Sequence, residues 1–218
     1  MSPRPARHVV VFVKAPRLGQ VKSRLAAGVG ALQALRFYRE TTERLLVALA
    51  RDVRWRTLVA TTPHRARYGR FWGPGFPRLD QGPGDLGRRM ARAFRALPPG
   101  PAVIVGSDIP ALSRRHIWAA LQALGGRDAV IGPARDGGYW LIGLKRSRPL
   151  PSDLFDHVRW SSHHALADTR ASLPKRYTVA LLDTLEDVDD RDSYDRWRAA
   201  EALRRRRRAS SGAPASGA

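Results

Sequence analysis

Cysteine is absent from all 218 residues, which removes disulfides, thiolate metal sites and cysteine nucleophiles together. The absence fits a reducing compartment, and the chain is expected to be cytoplasmic. Long apolar runs are missing as well. Only MSPRPARH precedes the first apolar stretch, and that stretch is far too short for a signal h-region or a spanning helix. No membrane span is expected. Acidic residues are scarce, with 19 Asp and Glu against 39 Lys and Arg, for a formal charge of +20. Such a field attracts polyanions whatever the fold, so a non-catalytic polyanion-binding protein is one reading. The cations, however, are almost all arginine and lie in every segment, with Arg204 to Arg208 closing the last helix. That scatter argues for composition rather than a binding face, and no specific nucleic acid is expected. Familiar catalytic signatures are lacking too. Neither H-E-x-x-H nor G-x-S-x-G occurs, and His163 and His164 are merely adjacent, so zinc sites and hydrolytic triads have no support.

What is present is organised around VVVFVKAPRLGQVKSRL, Val9 to Leu25. The β-branched run Val9 to Val13 reads as a buried strand. Pro16 and Gly19 then force a turn that carries Lys14, Arg17, Lys22 and Arg24. A central strand, a cationic turn and a helix together present positive charge and backbone N–H groups to a phosphate. The loop is neither a Walker loop nor the dinucleotide fingerprint, and the bland alternative is a solvated basic loop.

Strand and helix patterns alternate along the rest of the chain. Ala31 to Arg51 reads as a long amphipathic helix and Trp55 to Thr61 as a strand, followed by an irregular connection over 64–84 with one short helix. A helix follows Gly84-Asp85-Leu86-Gly87, then a strand at Ala102 to Val105, a helix from Ser113 to Leu124, and strands at Ala129 to Ile131 and Tyr139 to Leu144. Asp153 to Ser172 is expected to be helical in two pieces, Tyr177 to Leu182 to be the last strand, and the acidic segment LEDVDDRD to lead into a C-terminal helix ending in the arginine run. The pattern predicts an α/β fold with a mainly parallel sheet and helices on both faces. Residues 1–203 are taken as one domain, and 204–218 as a basic, disordered tail.

In such sheets ligands sit beyond the carboxyl ends of the strands. Asp108 falls just past a continuously apolar strand, in VGSDIPAL, and suits a hard cation held against a nucleotide's phosphates; as an alternative it is a turn or N-cap aspartate. Glu186, Asp187, Asp189, Asp190 and Asp192 form a second acidic cluster, able to complete such a site or to stabilise a helix dipole. The loop GPARDGGYW offers glycines for close approach, an aspartate for hydroxyls and two aromatics for stacking, or equally a hairpin with Tyr139 and Trp140 in the core.

Six segments in order, FVKAPRLGQVKSRL, GDLGRRM, VGSDIPAL, IGPARDGGYWLIGL, LFDHVRWSS and EDVDDRDSY, resemble the CofC-like branch of the glycosyltransferase-A and nucleotidyltransferase superfamily, a group that includes small bacterial uncharacterised glycosyltransferases. The resemblance runs from Val9 to about Trp197. It implies a Rossmann-like GT-A fold, the nucleotide-diphospho-sugar transferase fold, with Mg2+ or Mn2+ bridging nucleotide phosphates. By position it implies Lys14, Ala15, Pro16, Gly19, Lys22, Arg24, Gly84 and Asp85 as nucleotide-binding, with Lys22 and Arg24 joining Asp108 in catalysis. It further implies Asp136, Gly137, Gly138 and Tyr139 as acceptor-binding, and Asp108 and Asp189 as metal ligands. Two departures stand out: D-V-D-D-R-D-S-Y replaces the family's D-V-D-T-P-E-D-L, and Arg135 replaces a glutamate before Asp136. The implied activity is metal-dependent transfer from a nucleotide-sugar to a small acceptor. The alternative is nucleotidyl transfer from an NTP to a phosphorylated small molecule, with release of pyrophosphate.

Overall fold

Alternation along the central strand decides the layering. In β1 (His8–Lys14) Val9, Val11 and Val13 point to one face and Val10 to the other, and all four are buried. The structure is a computed structural model that describes residues 6–69, 71–73 and 75–210. Its remaining strands are β2 (Arg56–Thr62), β3 (Arg78–Asp80), β4 (Ala102–Val105), β5 (Ala129–Pro133), β6 (Tyr139–Leu144) and β7 (Val179–Leu181). They form one sheet in the order β3-β2-β1-β4-β6-β5-β7. β6 alone runs antiparallel to its neighbours, so six strands send their carboxyl ends to the same edge.

The helices are α1 (Ser23–Val29), α2 (Ala31–Ala50), α3 (Leu86–Ala96), α4 (Arg114–Gly126), α5 (Ala165–Ser172) and α6 (Arg191–Ser210). Leu45, Leu46 and Leu49 of α2 and Ile117, Leu121 and Leu124 of α4 cover one face of the sheet. Met90 and Phe94 of α3 cover the other with Leu154, Phe155 and Leu173. A third, smaller core of Leu25, Phe37, Val188 and Tyr194 joins α1, α2 and α6. The expected α/β sheet with helices on both faces is therefore present.

The long helix expected over Ala31 to Arg51 is α2, which Gly30, with a left-handed φ of 86°, separates from α1. Other local expectations change. The connection over 64–84 contains, besides a 3-10 helix at His64–Tyr68, the short edge strand β3, whose three residues are too few to show a period. Of 153–172 only α5 is α-helical, because Phe155, His157 and Ser161 all adopt positive φ, which no helix tolerates. The C-terminal helix continues to Ser210, so residues 204–210 are its last turns and not a disordered tail; Glu201 pairs with both Arg204 and Arg205 across one turn. The expectation for 211–218 lies outside the described residues.

Candidate active site

The segments that follow β1, β4 and β7 meet at one place. The fully buried β4 delivers Gly106, Ser107 and Asp108 to the sheet edge, and the segment after β7 passes beside them. There the Val188 N–H donates to the Asp108 carbonyl at 3.2 Å. Val188 itself turns into the small core with Leu25 and Tyr194, which leaves Asp187 and Asp189 on the side of Asp108. One carboxylate oxygen from each of Asp108, Asp187 and Asp189 lies within 4.8 Å of the other two. Beyond this point the chain enters α6 through a reciprocal cap. Ser193 N–H donates to Asp190 Oδ1 at 2.8 Å, while Ser193 Oγ accepts from the Asp189 and Asp190 N–H groups. The D-D-R-D-S-Y departure thus supplies its own helix start and keeps Asp189 in place.

Lys22 is the cation of the trio. Its Nζ donates to Asp108 Oδ2 at 2.7 Å and to Asp189 Oδ1 at 3.1 Å, and its side chain is only 5% exposed. Arg24 reaches the outer oxygen, Asp189 Oδ2, at 2.9 Å from the surface. Burial works against the Lys22 ammonium, but the Asp108 and Asp189 carboxylates outweigh it and raise its pKa. The backbone cooperates: Lys22 is left-handed, with φ 51°, and opens α1 through a bond from Ala26 N–H to its carbonyl. Among the described residues Asp187 has no such partner. Burial first, then the Asp108 charge, push its carboxyl from the ordinary 3.8 up to about 6. A folded value above the unfolded one means that Asp187 supports the fold most at low pH. Its contribution falls as the pH rises from about 4 to about 6, when the crowded carboxyl must ionise.

The first loop lies against the same edge. Lys14 is exposed at the end of β1, and Tyr38 Oη bridges its backbone, accepting from the N–H at 2.7 Å and donating to the carbonyl at 3.1 Å. Ala15 is buried and Pro16 half-buried, and Gly19 takes φ 73° in the turn that follows. Gly84 and Asp85 arrive from the β3 side. The buried Gln81 ties that stretch down by donating from Nε2 to the carbonyls of Val13 and Ala60 at 3.1 and 2.9 Å. Gly84 has φ 99°, and Asp85 caps α3 by accepting from Arg88 N–H at 2.8 Å.

Across the edge, residues 134–138 form the β5–β6 turn. Asp136 is exposed and accepts from Gly138 N–H at 2.9 Å, and Gly137 takes φ 85°. Asp136 is close enough to Asp187 to help raise its pKa. The Tyr139 hydroxyl points away from this edge, into a buried contact with Met90 and Thr169, and burial raises its pKa well above the ordinary value. Of the residues proposed on sequence, Lys22, Arg24, Asp108 and Asp189 are in direct contact. Asp187, kept with Asp189 in the D-V-D motif but not counted as a ligand, joins them; the single-residue spacing is the signal for it. Gln81 and Tyr38 carried no signal, since only the fold shows that they fasten the two loops.

Residues 45–162, just over half of the chain, match a family model described as an uncharacterized protein conserved in bacteria, DUF2064. The chain is a DUF2064 protein. A solved structure from Desulfovibrio desulfuricans G20, assigned as a nucleotide-diphospho-sugar transferase, is 32% identical to it. That match covers 84% of this chain and 82% of that one with a TM-score of 0.73. Rv0371c from Mycobacterium tuberculosis H37Rv, solved also as a manganese complex, is 14% identical, with 89% and 98% coverage and a TM-score of 0.53. The 4-diphosphocytidyl-2C-methyl-D-erythritol synthase of Anaerococcus prevotii DSM 20548 is 11% identical, with 86% and 94% coverage and a TM-score of 0.54. No curated protein matches the DUF2064 chain. It has the nucleotide-diphospho-sugar transferase fold, and its place in the GT-A-like superfamily agrees with the resemblance drawn from its six segments. No helix among its described residues is long and apolar enough to cross a membrane.

Proposed function

We propose that this protein is a divalent-metal-dependent transferase that glycosylates a small acceptor from a nucleotide-sugar donor. The observation that carries the reading is the meeting of Asp108, Asp187 and Asp189 with Lys22 at the carboxyl edge of the sheet. The trio fits Mg2+ or Mn2+: it offers only carboxylate oxygen, which hard cations prefer, and two of its members, Asp108 and Asp189, already hold a cation, the Lys22 ammonium. When bound there, the ion would neutralise phosphate oxygens as negative charge develops on the leaving group. The similarity to the D. desulfuricans protein supports a nucleotide-sugar donor.

The remaining residues take roles from where they lie. Lys14, Ala15, Pro16 and Gly19 wrap the diphosphate, and Gly84 and Asp85, fastened to the same edge by Gln81, face the base and ribose. Asp136, Gly137 and Gly138 line the acceptor side, with Tyr139 holding that turn from beneath. The acceptor hydroxyl, hydrogen-bonded to Asp136, gives its proton to that carboxylate and forms a bond to the anomeric carbon as the bond from that carbon to the diphosphate breaks. Lys22 and Arg24 counter the charge that the departing nucleoside diphosphate gains.

A thermal-shift screen of the pure protein tests this against nucleotide-sugars, nucleoside diphosphates and NTPs, each with and without Mg2+ or Mn2+, at about 0.3 M salt to suppress nonspecific anion binding. A metal-dependent shift with one nucleotide-sugar is expected. A shift with NTPs alone would replace glycosyl by nucleotidyl transfer. Binding that ignores metal and collapses with salt would favour a polyanion-binding protein instead.

Acidity should tune the same site. Ligation requires Asp187 ionised, and its carboxyl stands at about 6 in the metal-free fold. Mn2+ affinity is therefore expected to fall by up to about tenfold per pH unit below that value, and to level off above it. Mn2+ titrations across this range, with the stabilising nucleotide or nucleotide-sugar present, check it, and Asp187→Asn should bind more weakly with a flatter profile. An identical profile in the variant would remove Asp187 from the ligand set.

A further inference from the structure

We propose that Lys22 closes the carboxylate trio to free divalent ions until a phosphate-bearing ligand draws its ammonium away, so that metal enters with the nucleotide and not before it. The inference deepens the metal-site reading above and rests on it. Its starting point is where the ammonium lies. Lys22 Nζ contacts two of the three proposed ligands, Asp108 and Asp189, from a side chain that is 95% buried. Three carboxylates against Lys22 and Arg24 leave a local formal charge of −1. A divalent ion approaching that arrangement meets less attraction than the trio alone would provide, and it meets a like charge already seated on the oxygens it needs.

The two cations differ in a way that singles out Lys22. Arg24 holds only the outer oxygen of Asp189, from a side chain 77% exposed, and so flanks the trio. Lys22 holds Asp108 Oδ2 and Asp189 Oδ1 together, and so bridges it. Its ammonium is a compact point charge on a flexible four-carbon stem, free to exchange one set of oxygens for another. The alternative set is nearby, because Lys22 ends the loop after β1, whose Lys14, Ala15, Pro16 and Gly19 are proposed to wrap the diphosphate. A phosphate arriving there offers Lys22 a new anionic partner and brings its own metal-binding oxygens. The carboxylates vacated by Lys22 then face the ion. Lys22 thus has two successive positions: countercharge to the trio in the free protein, and phosphate ligand in the loaded one.

The test is Mn2+ binding without nucleotide, read from the electron-paramagnetic signal of free Mn2+, on the wild type, Lys22→Gln and the double variant Lys22→Gln with Asp108→Ala. The folded state of each is checked by circular dichroism. Lys22→Gln is expected to bind Mn2+ at least about tenfold more tightly than the wild type, since one bridging positive charge is removed, and the double variant to lose that gain. Equal or weaker binding by a folded Lys22→Gln would overturn the inference. A second measurement needs no variant. Lys22 acetylation by an N-hydroxysuccinimide ester, mapped by mass spectrometry with Lys175 as internal standard, should be slow in the free protein, unchanged by Mn2+ alone, and altered only when Mn2+ and UDP-glucose or GTP are added together. Lys22 labelling that rises with Mn2+ alone would likewise overturn it. If Mn2+ binds to none of the proteins, even with UDP-glucose or GTP present, the metal site itself falls and the lock with it. If the wild type binds Mn2+ only with nucleotide but Lys22→Gln shows no gain, the site stands and only the lock fails.

Discussion

Replacing Asp108 by alanine is expected to lower turnover by about 10³-fold, or roughly 4 kcal/mol of barrier, and to remove the metal dependence of nucleotide binding. The expectation comes from position. Asp108 is the member of the trio nearest to Lys22, and the Val188 N–H bond to its carbonyl fixes Asp187 and Asp189 beside it. The bond uses the backbone, so the alanine keeps it, and Lys22 keeps Asp189. The fold should survive, the more so because the Asp108 side chain is one-third exposed. Circular dichroism together with nucleotide titrations, with and without Mn2+, separates the two effects. Unchanged metal-dependent binding in a folded variant would contradict the assignment of the site.

The second large effect is expected from Gly137→Ala. Gly137 has φ 85°, and a Cβ there would lie 2.4 Å from the His163 carbonyl oxygen and 2.6 Å from the His163 Cα. Both neighbours are backbone, so no side chain can swing aside. The left-handed conformation costs about 1–2 kcal/mol and a forced backbone shift about 1–3 more. A loss near 3 kcal/mol corresponds to a Tm drop of about 6–12 °C for a chain of this size. Gly19→Ala is the matched control, having φ 73° but no atom within 4 Å of the added carbon, so only the conformational cost of about 1–2 kcal/mol applies. Calorimetry on both variants checks the difference. On the proposed reading, Gly137→Ala also raises KM for the acceptor while sparing Mn2+ binding, because the turn moves and the trio does not. Equal stability losses in the two variants would show that the contact with His163 does not constrain the turn.

How much of this was legible beforehand depends on the range of the interaction. The buried strand β1, its cationic turn and the apolar run ending before Asp108 are local features, and each is written in a few adjacent residues. The capping roles of Ser113 and Asp190 follow from the same short-range chemistry, although Asp85 shows how a cap also satisfies a motif expected at a ligand. Sheet order is different. The hairpin reading of GPARDGGYW already allows β5 and β6 to pair antiparallel, with Trp140 in the core, but nothing in Tyr139 to Leu144 itself declares that β6 also inserts against β4, since a buried strand shows one apolar run whichever neighbour it takes. The Lys22 bridge is the most remote case: it joins residues 22, 108 and 189, which only the shared sheet edge brings together. The six-segment resemblance anticipated Asp108 and Asp189 at one site, whereas the burial of Lys22 between them and the raised pKa of Asp187 emerge only from packing.

The most direct measurement is anomalous scattering at the manganese edge, from crystals grown with Mn2+ and a nucleotide or nucleotide-sugar that stabilises the protein. The expected result is a peak within ligand distance of Asp108, Asp187 and Asp189, with Lys22 Nζ turned onto a phosphate oxygen. A bound nucleotide with no peak there, or with manganese held by other residues, would contradict the metal-dependent transferase reading.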